Sequence, residues 1–320
     1  MTARALLLAA AIVVGLVPRA AAEYPERAVK IIVPTSPGGA IDTTARVVAN
    51  KLAEYWAKPV IVENRPGGSM IIGADAVAKS TADGYTLLVA HDGAIAMNPI
   101  LYPNVPYVSQ RDFAPIALMT TIAGVVMVHD SVPARTLGEL IAYAKQNPGK
   151  LDHATGGPAT LLWLELLKSM AGVDIKSIPY RGAAPSVTAV IAGETQMCLA
   201  DVASAHAGIA SSHVKVLAVT SMGRVKTLPD IPTADQSGVP GYEVGTWMGA
   251  FAPAATPREI VAKIEAGIGR ALAEPDVRAR FETLGMAMRS GTSEELRSTL
   301  AADIDKWSRL VKEKNIQIAP

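Results

Sequence analysis

Two stretches of this chain combine glycine with hydroxyl side chains where an apolar run gives way to an amphipathic one. The first is Thr35, Ser36, Gly38, Gly39 and Asp42; the second is Ala154, Thr155, Gly156, Gly157 and Thr160. Glycine lets backbone N–H groups face inward with no side chain in the way. Unpaired N–H groups at a helix start, reinforced by the local dipole, favour an anion. Serine and threonine add further donors or acceptors. Two such loops facing each other across a cleft would hold both ends of a small acid. Asp42 suits an anion site less well. It reads either as a cap on a helix starting at Thr43, or as an acceptor for a ligand hydroxyl or an ordered water.

A third polar segment, Ala90 to Pro99, carries His91, Asp92 and Asn98 at the expected cleft edge. His91 beside Asp92 admits a hydrolase reading. Adjacent residues make a poor base and orienter, however, and no nucleophile is placed for them. The chain has no G-x-S-x-G, H-E-x-x-H or C-x-x-C pattern. Its five histidines are scattered without metal-ligand spacing. "SPGGAID" is not a dinucleotide fingerprint. The expectation is therefore binding without catalysis, with no metal and no cofactor.

The elements that must position these loops alternate. "AVKIIVPT", "KPVIVEN" and "GYTLLVA" read as strands, with a helix from Thr43 to Trp56 after the first and a short one from Gly73 to Lys79 after the second. Near-continuous apolar strands between helices argue an α/β fold with a parallel sheet covered on both faces. "GVVMVHD" (Gly124 to Asp130) restarts the pattern, followed by a capping box at Thr136 to Glu139. "LDHATGG", "IKSIPY", "QMCLADV" and "VKVLAVT" continue it, with helices from about Thr160 and about Ala184. "GTWMGAFAP" would carry the chain back to the first unit. The tail reads as helices only, one capped by Thr256 ahead of Pro257 and one opened by Thr292, with Leu296, Leu300, Ile304 and Leu310 on one stripe.

The organisation expected is a signal peptide at 1–22, a first lobe at 23–124, a second lobe at 125–247, and a return to the first lobe with C-terminal helices at 248–320. Ala5 to Val17 is apolar or small, and Ala20-Ala21-Ala22 suits signal peptidase. Removing Arg4 and Arg19 leaves 28 of the 30 basic residues against 29 acidic ones, so no basic face for nucleic acid is expected. Cys198, the one cysteine, reads as a buried inert thiol. Four Trp, eight Tyr and three Phe occur, none in either glycine loop, which disfavours a sugar stacked on aromatic rings. Nothing marks an obligate interface, so a monomer is expected.

Taken in order, "PGGAID", "VIVENRPGG", "ADGYTLLVA", "NPILY", "IPYRGAAP", "LAVTSMGR", "LPDIPT" and "FAPAATP" resemble the extracytoplasmic substrate-binding receptors of tripartite tricarboxylate transporters, often called Bug receptors. The resemblance runs nearly the whole mature length. It implies a two-lobe periplasmic binding protein fold, type II-like, with the ligand cleft between the lobes. It also implies delivery of a small carboxylate, most often a dicarboxylate, to a membrane transporter with a large and a small subunit. A ligand-binding sensor or scaffold not coupled to transport is the alternative. By the same resemblance the loop from Thr35 to Asp42 holds one end of the ligand, and the loop from Ala154 to Thr160 grips a carboxylate. His91, Asp92 and Gly93 add contacts, and Asp201 faces the cleft. His91-Asp92-Gly93 stands where relatives carry small hydroxyl residues; an acid added there would suit an amino or hydroxyl group on the ligand.

Overall fold

A computed structural model describes residues 24–289 and 291–316 of the chain. The expected signal peptide lies outside the described residues. Among those described, no helix is long and apolar enough to cross a membrane.

The first strands form as their composition dictates. β1 (Val29–Val33), β2 (Val60–Asn64) and β3 (Thr86–His91) pair in parallel, with β1 between the other two. The helices α1 (Ala40–Trp56) and α2 (Ile71–Ala78) make the crossovers. The short helices α3 (Asn98–Leu101) and α4 (Ser109–Asp112) lead into β4 (Phe113–His129), a strand of 17 residues. The second set is α5 (Leu137–Gln146), β5 (Asp152–Thr155), α6 (Pro158–Ala171), β6 (Lys176–Pro179), α7 (Ala183–Ile191), β7 (Met197–Asp201), α8 (His206–Ile209) and β8 (Val214–Val219). β9 (Gly245–Pro253) returns the chain to the first set, and α9 (Arg258–Ala273), α10 (Pro275–Thr283), β10 (Ala287–Met288) and α11 (Ser293–Lys314) complete it.

β4 organises the whole. Its first part, Phe113 to Ala123, pairs antiparallel with β9, extending the sheet in the order β2-β1-β3-β9-β4. Its second part, Gly124 to His129, is flanked by β7 and β8 in a second sheet that continues through β5 to β6. The separate strand expected from Gly124 is therefore the far half of one that begins at Phe113. Pro115 hides this in the sequence, because proline removes a ladder donor. The strand tolerates it where the register with β9 shifts, between Pro115 and Ala117.

Other boundaries move for local reasons. α1 starts at Ala40 with Gly39 as its N-cap, three residues before the expected Thr43. Pro158 at the first turn of α6 starts that helix ahead of Thr160. Thr256 does not cap α9: Pro257 takes the N-cap position, and the Thr256 hydroxyl is buried without a partner. Thr136 and Thr292 do cap, each accepting from the N–H three residues on, Glu139 and Glu295. The tail also contains a strand, since Ala287 and Met288 pair with β4.

α11 packs against both parts of the molecule. Leu296 and Leu300 join a core with Ile32, Leu88 and Phe251, while Trp307 and Leu310 join another with Leu162, Trp163 and Leu199. Trp307 supplies the buried ring that the expected leucine stripe lacked. Cys198 is fully buried, and burial pushes its thiol up to about 12.

Candidate functional site

The two sheets meet over a cavity of about 560 Å³. One wall is the segment from Thr35 to Ile41, the turn that joins β1 to α1. His91 closes β3 beside it. The floor is Ile122 of β4 with Thr246 and Met248 of β9, and the opposite wall is Asp201, which ends β7, with Ala203 and Ser204 just after it.

The first wall is held from behind. Asp42 is buried, and its Oδ2 accepts from Gly38 N–H (2.9 Å) and Arg46 Nε–H (3.0 Å), while Oδ1 accepts from Asn64 Nδ2 (2.9 Å). Asn64 also donates to the Thr35 carbonyl (3.0 Å). Burial pushes the Asp42 carboxyl up, but the bonds from Arg46, Gly38 and Asn64 outweigh it and bring the group down to about 2. Held by these three bonds, Asp42 shapes the loop and is absent from the cavity lining. It sits at the third position of α1 and reaches back across the turn, which replaces the capping role expected for it. Gly38 allows the turn with φ +90°.

The same loop leaves donors unused. Gly39 caps α1 without a side-chain bond, and the first helical bond is Thr43 N–H to Gly39 C=O. The N–H groups of Ala40 and Ile41 precede that bond and have no acceptor within the helix. The Thr35 hydroxyl is buried beside the cavity with no hydrogen-bond partner among the described residues. His91 contributes a further donor. Its Nδ1 accepts from Gly93 N–H (2.8 Å), so in the neutral ring Nε2 carries the proton. Gly93 is pressed against that ring: a Cβ there would lie 2.5 Å from His91 Cε1. Gly93 therefore positions His91 without lining the cavity.

Asp92 turns the other way. It is 1% exposed, and neither carboxylate oxygen has a hydrogen-bond partner among the described residues. Its Oδ1 lies 3.3 Å from His91 Nδ1, but the shorter bond from Gly93 already occupies that nitrogen. Burial raises the Asp92 carboxyl above its ordinary value, with Asp303 of α11 adding to the effect. The acid expected at the cleft edge is thus under the surface, at the start of a five-residue π-helical turn from Gly93 to Met97.

The second glycine loop is also not part of the lining. Ala154 and Thr155 are buried in β5. The Thr155 hydroxyl meets His153 Nδ1 (2.8 Å) and Ser177 Oγ (2.7 Å), and the Thr160 hydroxyl donates to the Gly157 carbonyl (3.1 Å). Gly156 packs on the start of α7, where a Cβ would lie 2.9 Å from the Gly182 carbonyl oxygen. Gly157 sits at φ +144° with open space around it. Thr155→Val should therefore lower stability by about 1 kcal/mol through the lost hydroxyl bonds. Affinity for the solute should stay within about twofold, since the side chain is turned into the lobe. Denaturant melts and titration calorimetry on one preparation separate the two effects.

Of the expected residues, Thr35, Ser36, Gly39, His91 and Asp201 come together around the cavity. The floor residues Ile122, Thr246 and Met248 were not foreseen, because they read as ordinary strand. Ser204 had a signal: a serine three residues after an aspartate is a side-chain-closed turn, and here Ser204 N–H and Oγ–H donate to Asp201 at 2.9 and 2.7 Å. No Lys or Arg among the described residues lines the cavity. Among the described residues, no three His, Cys, Asp or Glu are grouped to hold a metal.

Known proteins share this frame. The UPF0065 protein in the tcbD-tcbE intergenic region of Pseudomonas sp. (strain P51) is 39% identical over 293 residues, 91% of this chain and 87% of that one. The solved periplasmic binding protein BugD is 33% identical with a TM-score of 0.76, covering 92% of this chain and 99% of its own. MatC from Rhodopseudomonas palustris, solved with bound malate, is 31% identical with a TM-score of 0.76, covering 90% and 100%. The two solved structures are of a periplasmic binding protein and of a protein holding malate, not of enzymes, which removes the hydrolase reading of His91 and Asp92. With the model of the tripartite tricarboxylate transporter family receptor matching residues 44–316, a span that includes most of both sheets, this chain belongs to that family and is a solute receptor.

Proposed function

We propose that this chain is a periplasmic receptor for a small carboxylate, most simply a dicarboxylate, which it passes to a membrane transporter with a large and a small subunit. The observation that carries the reading is the set of unused neutral donors on one wall: the first-turn N–H groups of α1 and His91 Nε2–H. Fixed donors of this kind form charge-assisted bonds to a carboxylate, and the helix start adds a favourable dipole. Among the described residues no Phe, Trp or Tyr lines the cavity, which gives a stacked sugar no platform there. The bound malate of MatC is in keeping with a ligand of this size and charge. In this reading the protein acts as a monomer, its lobes are 23–124 with 248–320 and 125–247, and they close about the strands β4 and β9.

A ligand that binds only the folded protein raises its stability, by about 2.7 kcal/mol at a hundred times Kd. A thermal-shift panel of free acids, their methyl esters and amides, sugars and polyamines tests the claim. Stabilisation by free acids and not by their esters is expected. Hits confined to sugars or polyamines would overturn it. Loss of uptake of that acid on deleting the membrane subunits is the expected sign of coupling to transport.

A further inference from the structure

The cavity is polarised. The donors described above are on the α1 side, and the other wall carries an acceptor, Asp201, the one acidic residue in a lining that holds no Lys or Arg among the described residues. Asp201 is the last residue of β7 and pairs opposite Gly124, the point at which β4 passes from one sheet to the other. From that junction Asp201 lines the cavity. Its rotamer is pinned by Ser204, whose N–H holds Oδ1 and whose hydroxyl holds Oδ2. A carboxylate has room for about four hydrogen bonds, so acceptor capacity remains on both oxygens.

A carboxylate fixed in this way can only accept. Facing a second carboxylate it repels, and no cation in the lining offsets that repulsion. We infer that Asp201 is the specificity-determining residue of this receptor and that it selects acids which also carry a hydrogen-bond donor, a hydroxyl or a protonated amine, on the end turned to the second lobe. The inference rests on the carboxylate reading above and narrows it. The ligand's carboxylate lies at the start of α1 with His91, and its donor meets Asp201. A plain diacid leaves Asp201 facing a charge of its own sign; the hydroxy or amino acid of the same length turns that contact into a hydrogen bond or an ion pair.

The test is calorimetry on matched series: succinate, malate and aspartate; adipate, 2-hydroxyadipate and 2-aminoadipate. In the wild-type protein, at least one donor-bearing member of a series should bind about tenfold or more tighter than the plain diacid. In Asp201→Asn the advantage of an amino acid should fall at least about tenfold, and a plain diacid should bind no worse than to wild type. Asp201→Ser, which keeps a small acceptor, is the second variant in which the same ratio is read. A preference ratio is insensitive to a general loss of stability, so a merely structural Asp201 would leave it unchanged. Equal binding of plain and donor-bearing acids by the wild type, or a ratio unchanged in both variants, overturns the inference while leaving the carboxylate reading in place. Silence of every acid removes the carboxylate reading itself.

Discussion

Replacing His153 with alanine should cost about 3–5 kcal/mol of folding stability, a buried-site loss in which a cavity and an unpaired donor add. His153 is fully buried in β5, and its Nε2 accepts from Leu199 N–H of β7 at 2.9 Å. Nδ1 must then carry the proton, which it gives to the Thr155 hydroxyl at 2.8 Å; that hydroxyl in turn meets Ser177 of β6 at 2.7 Å. One imidazole thereby stitches three strands of the second sheet where the ladder between β5 and β7 is only two residue pairs long. The geometry admits only the neutral ring, and burial pushes its pKa from the ordinary 6.5 down to about 3. Because the folded value is depressed, the unfolded chain binds the extra proton between those values. The contribution is complete above about pH 6.5 and is lost as pH falls toward about 3, at up to about 1.4 kcal/mol per unit. Denaturant unfolding across that range should show stability falling with acid in the wild type, and less steeply in His153→Gln. Parallel profiles for the two proteins would contradict the assignment.

Gly39→Asp should abolish solute binding, by about 100-fold or more, while leaving the protein folded. Gly39 caps α1 from the extended region, φ −78° and ψ 175°, without a side chain, and a Cβ there meets nothing within 4 Å. Aspartate is among the preferred residues at this position because its carboxylate bonds the first-turn N–H groups, worth about 1 kcal/mol to the helix. Here those are the donors assigned to the solute, so the variant would carry its own competing anion. The repulsion of nearby Asp42 offsets part of the helix gain, which makes an unchanged melting temperature the expected outcome. Gly39→Ser, a neutral cap, should bind more weakly than wild type but better than the aspartate variant. If Gly39→Asp bound a carboxylate as well as wild type does, the start of α1 would not be the anion site.

The sequence pointed to the first wall of the cavity because its signals are local. A glycine pair between an apolar strand and an amphipathic helix can be seen within ten residues, and Thr35, Ser36 and Gly39 do line the cavity. The second glycine loop has the same local pattern, yet its hydroxyls are taken up by His153, Ser177 and Gly157, contacts set by strand neighbours and the loop's own fold. Asp42 and Asp92 were ambiguous for a related reason. Whether an acid at a strand end faces the cleft or the core depends on the exact turn, and here both turn inward while Asp201 does not. Ile122, Thr246 and Met248 carried no signal at all, since a residue at the crossing of two sheets looks like any other strand residue until β4 is known to continue through Pro115.

That continuity has a consequence for how the molecule comes apart. A chain with two sheets invites the picture of two bodies that melt separately. β4 gives its first part to one sheet and its second part to the other, so neither sheet keeps a full set of partners once the other has lost this strand. α11 ties the same two cores together from behind, with Leu300 in one and Trp307 in the other. Loss of order on one side therefore withdraws packing from the other, and a single unfolding transition is the expected outcome, by calorimetry, for a chain whose two sheets share a strand.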